Sequence, residues 1–490
     1  MAFRSARAIK RALLFGAAAS LSLSGCTGGQ IASTGTPLTP QERDQGAKAH
    51  PELVAEFGGA ETGPRADYVA SVTRNVAVHS GLSTAPADFN VTLLNSSVNN
   101  AFAIPGGYVY VTRQLVSLMN NEAELAGVMG HEVGHVAARH SAKRQAKAQQ
   151  NALLGVLGQV LSGVVFGNSA LGQLGQKVAS TAPQLATLSY SRSQELSADG
   201  LGIQYLNAAG YDPRAMGTVL QNLAAQNSLD AQLQGRNALV PEWASTHPDP
   251  ASRVKGALAK AGTGGGTLNR DTFLARIDGI MYGDDPKQGV IEGRTFMHPE
   301  FRLAFEAPDG FYMMNGTRAV TINGQGGKGQ LSSAAYSGNL DSYIKGVFNA
   351  LAGEGQSLAP SSITKTTVNG IPAAYGTARV NSGNGQVDVV VFAYEFSNSR
   401  AFHFATIAPA GQAAVFNPMF NSLRRISSSE AAAIVPRRID VVTVKSGDTV
   451  ASLARRMAYS DAQEARFRVL NGLGANDGVQ VGQKVKLVVK

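Results

Sequence analysis

The chain has 490 residues, 43 Lys and Arg against 34 Asp and Glu, a formal charge of +9 and one cysteine, a length that corresponds to about three folded units. Four of the surplus bases fall in the first eleven residues, and residues 437–490 hold ten bases against five acids, so the rest of the chain is balanced. So modest a surplus, with no reading motif beside it, excludes nucleic acid as a partner, and a lone cysteine excludes an internal disulfide.

The N-terminus, MAFRSARAIKRALLFGAAASLSLSGC, places Arg4, Arg7, Lys10 and Arg11 before an apolar run of small residues. Residues 1–25 therefore read as a secretory signal. The ending Leu23-Ser24-Gly25-Cys26 resembles the lipobox of bacterial lipoproteins. That resemblance implies cleavage before Cys26, lipidation of its thiol and, because Thr27 is not Asp, a place on the outer membrane of a Gram-negative cell, facing the periplasm. The alternatives are an ordinary signal or a buried cysteine. Residues 26–44 are rich in Gly, Thr and Ser and read as a flexible tether.

Next in order, NNAFAIPGGYVYVT at 99–112 reads as a strand, a Pro-Gly-Gly turn and an alternating second strand, a hairpin. Asn121 followed by Glu124 resembles a capping box, and no proline interrupts the run from there to about Lys143, which predicts a helix. Inside it lies HEVGH. Two histidines four apart on a helix, His131 and His135, project from one face and can share a zinc ion, with Glu132 placed as general base. Gly127, Gly130 and Gly134 are costly in a helix, about 1 kcal/mol each against Ala. Their spacing puts them on one stripe and predicts close packing of another helix.

The third ligand is not that of a metzincin, because positions 138 and 141 are Ala and Ser. His140, five residues past His135, points about 140° away around a continuous helix and reads as a supporting or surface histidine. A second helical pattern, SYSRSQELSADGLGIQYL at 189–206, carries Glu195 and Asp199 on one face. Glu195 is the candidate third ligand; without the upstream motif the two acids would read as a solvated pair. Two His and one Glu leave a fourth zinc position open, the arrangement of a catalytic centre. In STHPDPASR at 245–253, His247 is the candidate oxyanion donor, with Arg253 beside it; a buried structural histidine is the alternative. The uncharged segment 151–176 is diluted by Gln, Asn, Gly and Ser and reads as helices with a small-residue face, covering the active site or touching a partner, rather than as a membrane span.

Together, NAFAIPGG (100–107), HEVGH (131–135), YSRSQELSAD (190–199), GYDP (210–213) and STHPDPASR (245–253) resemble, in order, the HtpX- and BepA-type gluzincin metallopeptidases, the family of the CAAX prenyl endopeptidases. The resemblance covers residues 45–261. It implies one zinc per chain on His131, His135 and Glu195, Glu132 as catalytic base, and Asp199 at a position sometimes called a proton donor; a carboxylate there could equally orient a zinc-bound histidine. It also gives Asn100, Ala101, Phe102 and Ala103 a role, since an unpaired strand edge beside the metal can take up an extended peptide by its main chain. The alternative is an ordinary sheet edge.

After the glycine-rich linker 262–266, residues 268–430 read as strands around the amphipathic helix 339–353, an α+β unit that weakly resembles small photosystem-protein-like and Mog-like domains. His298 and His403 look isolated and structural there. Residues 437–490 resemble a LysM module of βααβ order, which implies a glycan ligand, peptidoglycan. The expected fold class is α+β: a mostly helical zincin-type peptidase domain with a small edge-strand sheet, an α+β domain and the LysM-like module. The expected function is an envelope zinc endopeptidase acting on unfolded or misassembled proteins, tethered to membrane and cell wall. A peptidoglycan cross-link hydrolase and an assembly factor with a closed metal site are the alternatives.

Overall fold

The computed structural model describes residues 36–141, 190–234, 247, 249–352, 358–382 and 385–490. The expected signal, Cys26 and the segment 151–176 lie outside the described residues. Among the described residues no helix is long and apolar enough to cross a membrane.

Helix α1 (Pro40–Glu56) starts at a reciprocal capping box between Thr39 and Glu42. The last residues of the expected tether, 40–44, are therefore helical. After α2 (Pro64–Ala77), strands β1 (Asn90–Leu94), β2 (Ala101–Ile104) and β3 (Tyr108–Thr112) form a sheet of order β1-β3-β2. The hairpin expected from 99–112 is present, and β2 is an edge strand. A short α3 (Arg113–Leu118) leads into α4 (Glu122–Ala137), which is buried at every position except Val136. Half of the expected capping box forms: the Asn121 side chain accepts from the Glu124 amide, while the Glu124 carboxylate accepts from the Asn120 amide. Helices α5 (Arg192–Ala208) and α6 (Ala215–Gln234) pack against α4, and α7 (Pro250–Ala261) packs against α5 and α6.

Helix α4 stops at Ala137 rather than near Lys143. Arg139 takes a left-handed conformation (φ 55°). Its guanidinium donates to the Thr36 carbonyl and pairs with Glu42, so contacts from the α1 end of the chain hold the reversal. His140 therefore lies past the turn, not farther around the same helix.

The glycine linker does not separate two cores. Helix α8 (Arg270–Ile277) places Phe273, Leu274 and Ile277 in the same core as α4 and α5, so the division expected at 268 falls inside it. Beyond β4 (Met281–Tyr282), strands β5 (Val290–Glu292), β6 (Thr295–His298) and β7 (Leu303–Glu306) build a small antiparallel sheet. Strands β8 (Tyr312–Asn315), β9 (Val320–Gly324) and β10 (Gly327–Ala334) belong to a seven-stranded antiparallel sheet that carries helix α9 (Leu340–Ala352). That sheet is completed by β11 (Ile363–Val368), β12 (Ile371–Ser382), β13 (Gly385–Ser397) and β14 (Arg400–Pro409), in the order β11-β12-β13-β14-β10-β9-β8. An aromatic core of Phe305, Phe392, Tyr394, Phe404 and Phe420 fills one face, and α9 covers β12 to β14 on the other. His298 is structural as expected: it stacks on Phe301, and its Nδ1 accepts from the Phe301 amide.

Helix α10 (Asn417–Ser422), strand β15 (Arg424–Arg425) and helix α11 (Ser428–Ala433) lead to the C-terminal module. There β16 (Arg437–Thr443), α12 (Val450–Ala454), α13 (Gln463–Leu470) and β17 (Lys484–Val489) reproduce the βααβ order, with β16 and β17 antiparallel. The module is built onto the core around α4. Phe467, Leu470, Val485 and Leu487 share the core of α4, and β16 pairs with β4. Lys486, 0% exposed, donates from Nζ to the carbonyls of Ser117 and Met119 at 2.7 Å each. Burial lowers its pKa, and the charge of Glu124 in the first turn of α4 opposes that fall. Replacing this cation by an isosteric apolar chain strands two carbonyls and an uncompensated carboxylate. Lys486→Met is expected to destabilise the whole chain by about 3 kcal/mol, the scale of a broken buried pair, visible as a lower midpoint in denaturant melts followed on the core around α4.

Candidate metal centre

The site forms where α4 and α5 pack closely across glycines. A Cβ on Gly130 would lie 3.5 Å from the Gly202 Cα, and one on Gly134 would lie 3.2 Å from the Leu201 Cβ. The glycine stripe thus makes the helix contact expected of it. A Cβ on Gly202 would meet Met216 Cε at 2.5 Å and the His131 amide nitrogen at 3.1 Å. Helix α5 starts at a Ser191/Gln194 capping box, and this close approach carries its first-turn Glu195, 0% exposed, to the two histidines of α4.

His131, His135, Glu195 and His247 each offer one donor atom, all within 4.8 Å of one another and all buried. His131 Nε2 lies 3.0 Å from His135 Nε2 and 3.2 Å from His247 Nδ1. Glu195 Oε1 lies 3.1 Å from His247 Nδ1 and 3.4 Å from His135 Nε2. A tetrahedral ion about 2.0–2.1 Å from each ligand spaces them roughly 3.3 Å apart, which these separations match. Tautomers supply a second test of fit. His131 Nδ1 bonds to Asp199 Oδ1 at 3.0 Å, and His135 Nδ1 faces His140 Nδ1 at 2.9 Å. With protons on Nδ1, both Nε2 lone pairs point at each other and at a carboxylate. A cation between them removes that conflict, and two or three imidazoles with one carboxylate suit zinc.

The remaining expected residues sit around this set. Glu132 is 1% exposed, with Oε1 at 3.4 Å from His247 Nε2. Asp199 is bound by both Nε and the second terminal nitrogen of Arg253. Burial opposes its ionisation, but the bonds from Arg253 and His131 hold its pKa down at about 2. The same balance, with bonds from His135 and His247, keeps Glu195 far below the usual carboxylate range. Of the two readings of Asp199, orientation of His131 is the one its contacts support. Arg253, expected near substrate, is 1% exposed and also pairs with Glu195 Oε2 at 2.5 Å. Its guanidinium positions the carboxylates instead of lining a groove. It reaches them from the first turn of α7, fixed by the Asp249 cap at φ 59°.

His247, expected as an oxyanion donor, is brought into the donor set itself. Asn100, Ala101, Phe102 and Ala103 lie at the β2 edge as expected; Phe102 stacks on Tyr110 at 4.6 Å, and the buried Asn100 Oδ1 has no hydrogen-bond partner among the described residues. The sequence reading gave no role to Tyr190, whose ring stacks on His135 at 3.8 Å between centroids. Its only signal was its place at the start of the 190–199 motif.

Residues 64–261 match the profile of peptidase family M48, and residues 442–488 match that of the LysM domain. The beta-barrel assembly-enhancing protease of Yersinia pestis is 36% identical over 176 residues, 35% of this chain and 34% of that protein. The protein of that name from Escherichia coli K12 is 34% identical over 197 residues, 40% and 38% of the two chains. The mitochondrial metalloendopeptidase OMA1 of Arabidopsis thaliana is 34% identical over 175 residues, 35% and 31%. The chain thus spans about a third of the length of these relatives.

Partners that orient metal-binding histidines are worth about 10- to 100-fold in metal affinity. Asp199→Asn is expected to weaken zinc binding by that factor in competition with a chelator, with His140→Ala following in the same direction. Residues 64–261 thus combine a match to peptidase family M48 with a zinc-type donor set, and residues 442–488 are similar to the LysM domain in sequence and in βααβ order.

Proposed function

We propose that the chain is a zinc-dependent endopeptidase of the bacterial envelope that cleaves unfolded or misassembled proteins. In this reading it is held to the outer membrane by lipid on Cys26 and to peptidoglycan by the C-terminal module. One observation carries the peptidase reading: a buried three-residue ligand set, His131, His135 and Glu195, with the carboxylate of Glu132 beside it. Zinc held there supplies Lewis-acid polarisation of a peptide carbonyl. Glu132 takes the proton of the attacking water and returns it to the leaving amine. Asp199 and Arg253 keep His131 and Glu195 in coordinating orientation. The β2 edge offers main-chain groups to an extended peptide, a mode that selects unfolded segments over sequence. The relatives named for β-barrel assembly support protein substrates. Double attachment would concentrate the enzyme where such substrates arise, and the module's turn residues 445–447 and 474–478 stay exposed for a glycan.

His247 supports a second feature, the closed metal site. Its Nδ1 stands where a fourth ligand stands, and four protein donors are the pattern of a site that does not turn over. Hydrolysis then requires His247 to withdraw. His247→Ala is expected to raise the rate of casein cleavage; a fall of about 10²- to 10³-fold would instead restore the oxyanion-donor role.

The main test uses purified protein carrying about one zinc per chain. Glu132→Gln is expected to abolish casein cleavage while the protein stays folded and metallated, and Glu195→Ala to lose zinc. Activity surviving Glu132→Gln overturns the base assignment. Release of cross-linked muropeptides with no action on casein would favour the cell-wall hydrolase.

A further inference from the structure

The seven-stranded sheet of residues 312–409 carries one helix, and that helix covers only part of it. Along the uncovered flank, between α9 and the ends of β10 and β14, lies a cavity of about 640 Å³. His403 and Ser332, directly paired across β14 and β10, form its floor. His403, expected to be an isolated core residue, is 6% exposed and tied at both ring nitrogens, with Ser332 Oγ 3.1 Å from Nε2 and the Tyr343 hydroxyl 2.8 Å from Nδ1. Burial pushes its pKa down to about 4, so the ring is neutral. Ser333, Ser337, Asn339 and Ser342 add further hydroxyl and amide groups, while Val347 and Leu351 make an apolar flank. Among the described residues no charged side chain lines the cavity.

One position on α9 leaves room beside the cavity. Gly346 sits in the middle of α9, where glycine costs about 1 kcal/mol against Ala, yet an added Cβ there would meet nothing within 4 Å. It faces the cavity, so close packing does not explain it.

We propose that this groove binds a neutral carbohydrate segment bearing acetamido groups, with the serine hydroxyls, Asn339 and the Ser332–His403 pair meeting sugar hydroxyls and Val347 and Leu351 meeting acetyl methyls. The absence of lysine and arginine from the lining disfavours phosphates and carboxylates, which need compensating charge. An added peptide strand is disfavoured because the Ala334 amide at the end of β10 already donates to the Tyr343 hydroxyl at 3.0 Å. The site is distinct from the LysM module and stands whether or not that module binds glycan.

The test is calorimetric titration of the full chain with chitotetraose, wild type against Gly346→Leu. Leucine favours the helix and fills the open space, so the melting temperature should hold or rise and casein cleavage should stay unchanged. One binding event should disappear: two become one if the LysM module also binds, and one becomes none if it does not. Ser332→Val should weaken the same event about tenfold, the loss of one hydrogen bond to a ligand hydroxyl at 1.4 kcal/mol per decade. Identical isotherms for wild type and Gly346→Leu, or no binding by wild type, overturn the proposal. So does displacement of the His403 ring resonances by a neutral tetra-alanine amide and not by chitotetraose, which would make the groove a peptide site.

Discussion

The centre depends on the approach of two helices across Gly130, Gly134 and Gly202. A Cβ on Gly134 or Gly202 would meet the facing helix at 3.2 or 3.1 Å, tight enough to press α5 off α4 and shift Glu195 from the imidazoles one turn apart on that helix, whereas one on Gly130 would make ordinary contact at 3.5 Å. The glycines cost helix propensity, roughly 1 kcal/mol each, and the return is a carboxylate placed in a site with no exposure to water. Contact density there leaves little freedom for adjustment, because cores packed like crystals respond to single methylenes.

Placing acids in such a site is itself unfavourable, and the surrounding residues are arranged to offset it. Arg253 bridges Glu195 and Asp199, and Asp199 in turn holds His131. These charges come from three elements, α4, α5 and the first turn of α7, so each element is held by the electrostatics of the other two. Removing one member would leave a buried charge unpaired, a cost of several kcal/mol. A similar device works away from the metal: the Glu122 carboxylate gathers hydrogen bonds from Tyr68, Tyr211 and Asn269, pinning α2, the turn before α6 and the linker to the start of the zinc helix.

The C-terminal module takes part in that economy. Its buried Lys486 sits against the carbonyls that precede α4, and its apolar side completes the peptidase core. A module that reads as a separate attachment is thus joined through a shared core to the element bearing His131 and His135, and β16 is paired to β4.

Local chemistry was legible in the sequence because its spacing is local. His131 and His135 at i and i+4, the 99–112 hairpin, the glycine stripe and the βααβ order all follow from helix and strand periodicity. The turn Asn369-Gly370, with φ of 49° and 76°, is a local hairpin signal of the same kind and joins β11 to β12. Tertiary structure alone decided where α4 ends, since Arg139 is turned by residues about a hundred positions earlier. It also decided that Arg253 faces inward, that His247 joins the ligand atoms, that Lys486 is buried on every side and that His403 borders open space. Each of these depends on what lies opposite a side chain, and a linear sequence carries the periodicity of an element but not the identity of its neighbour.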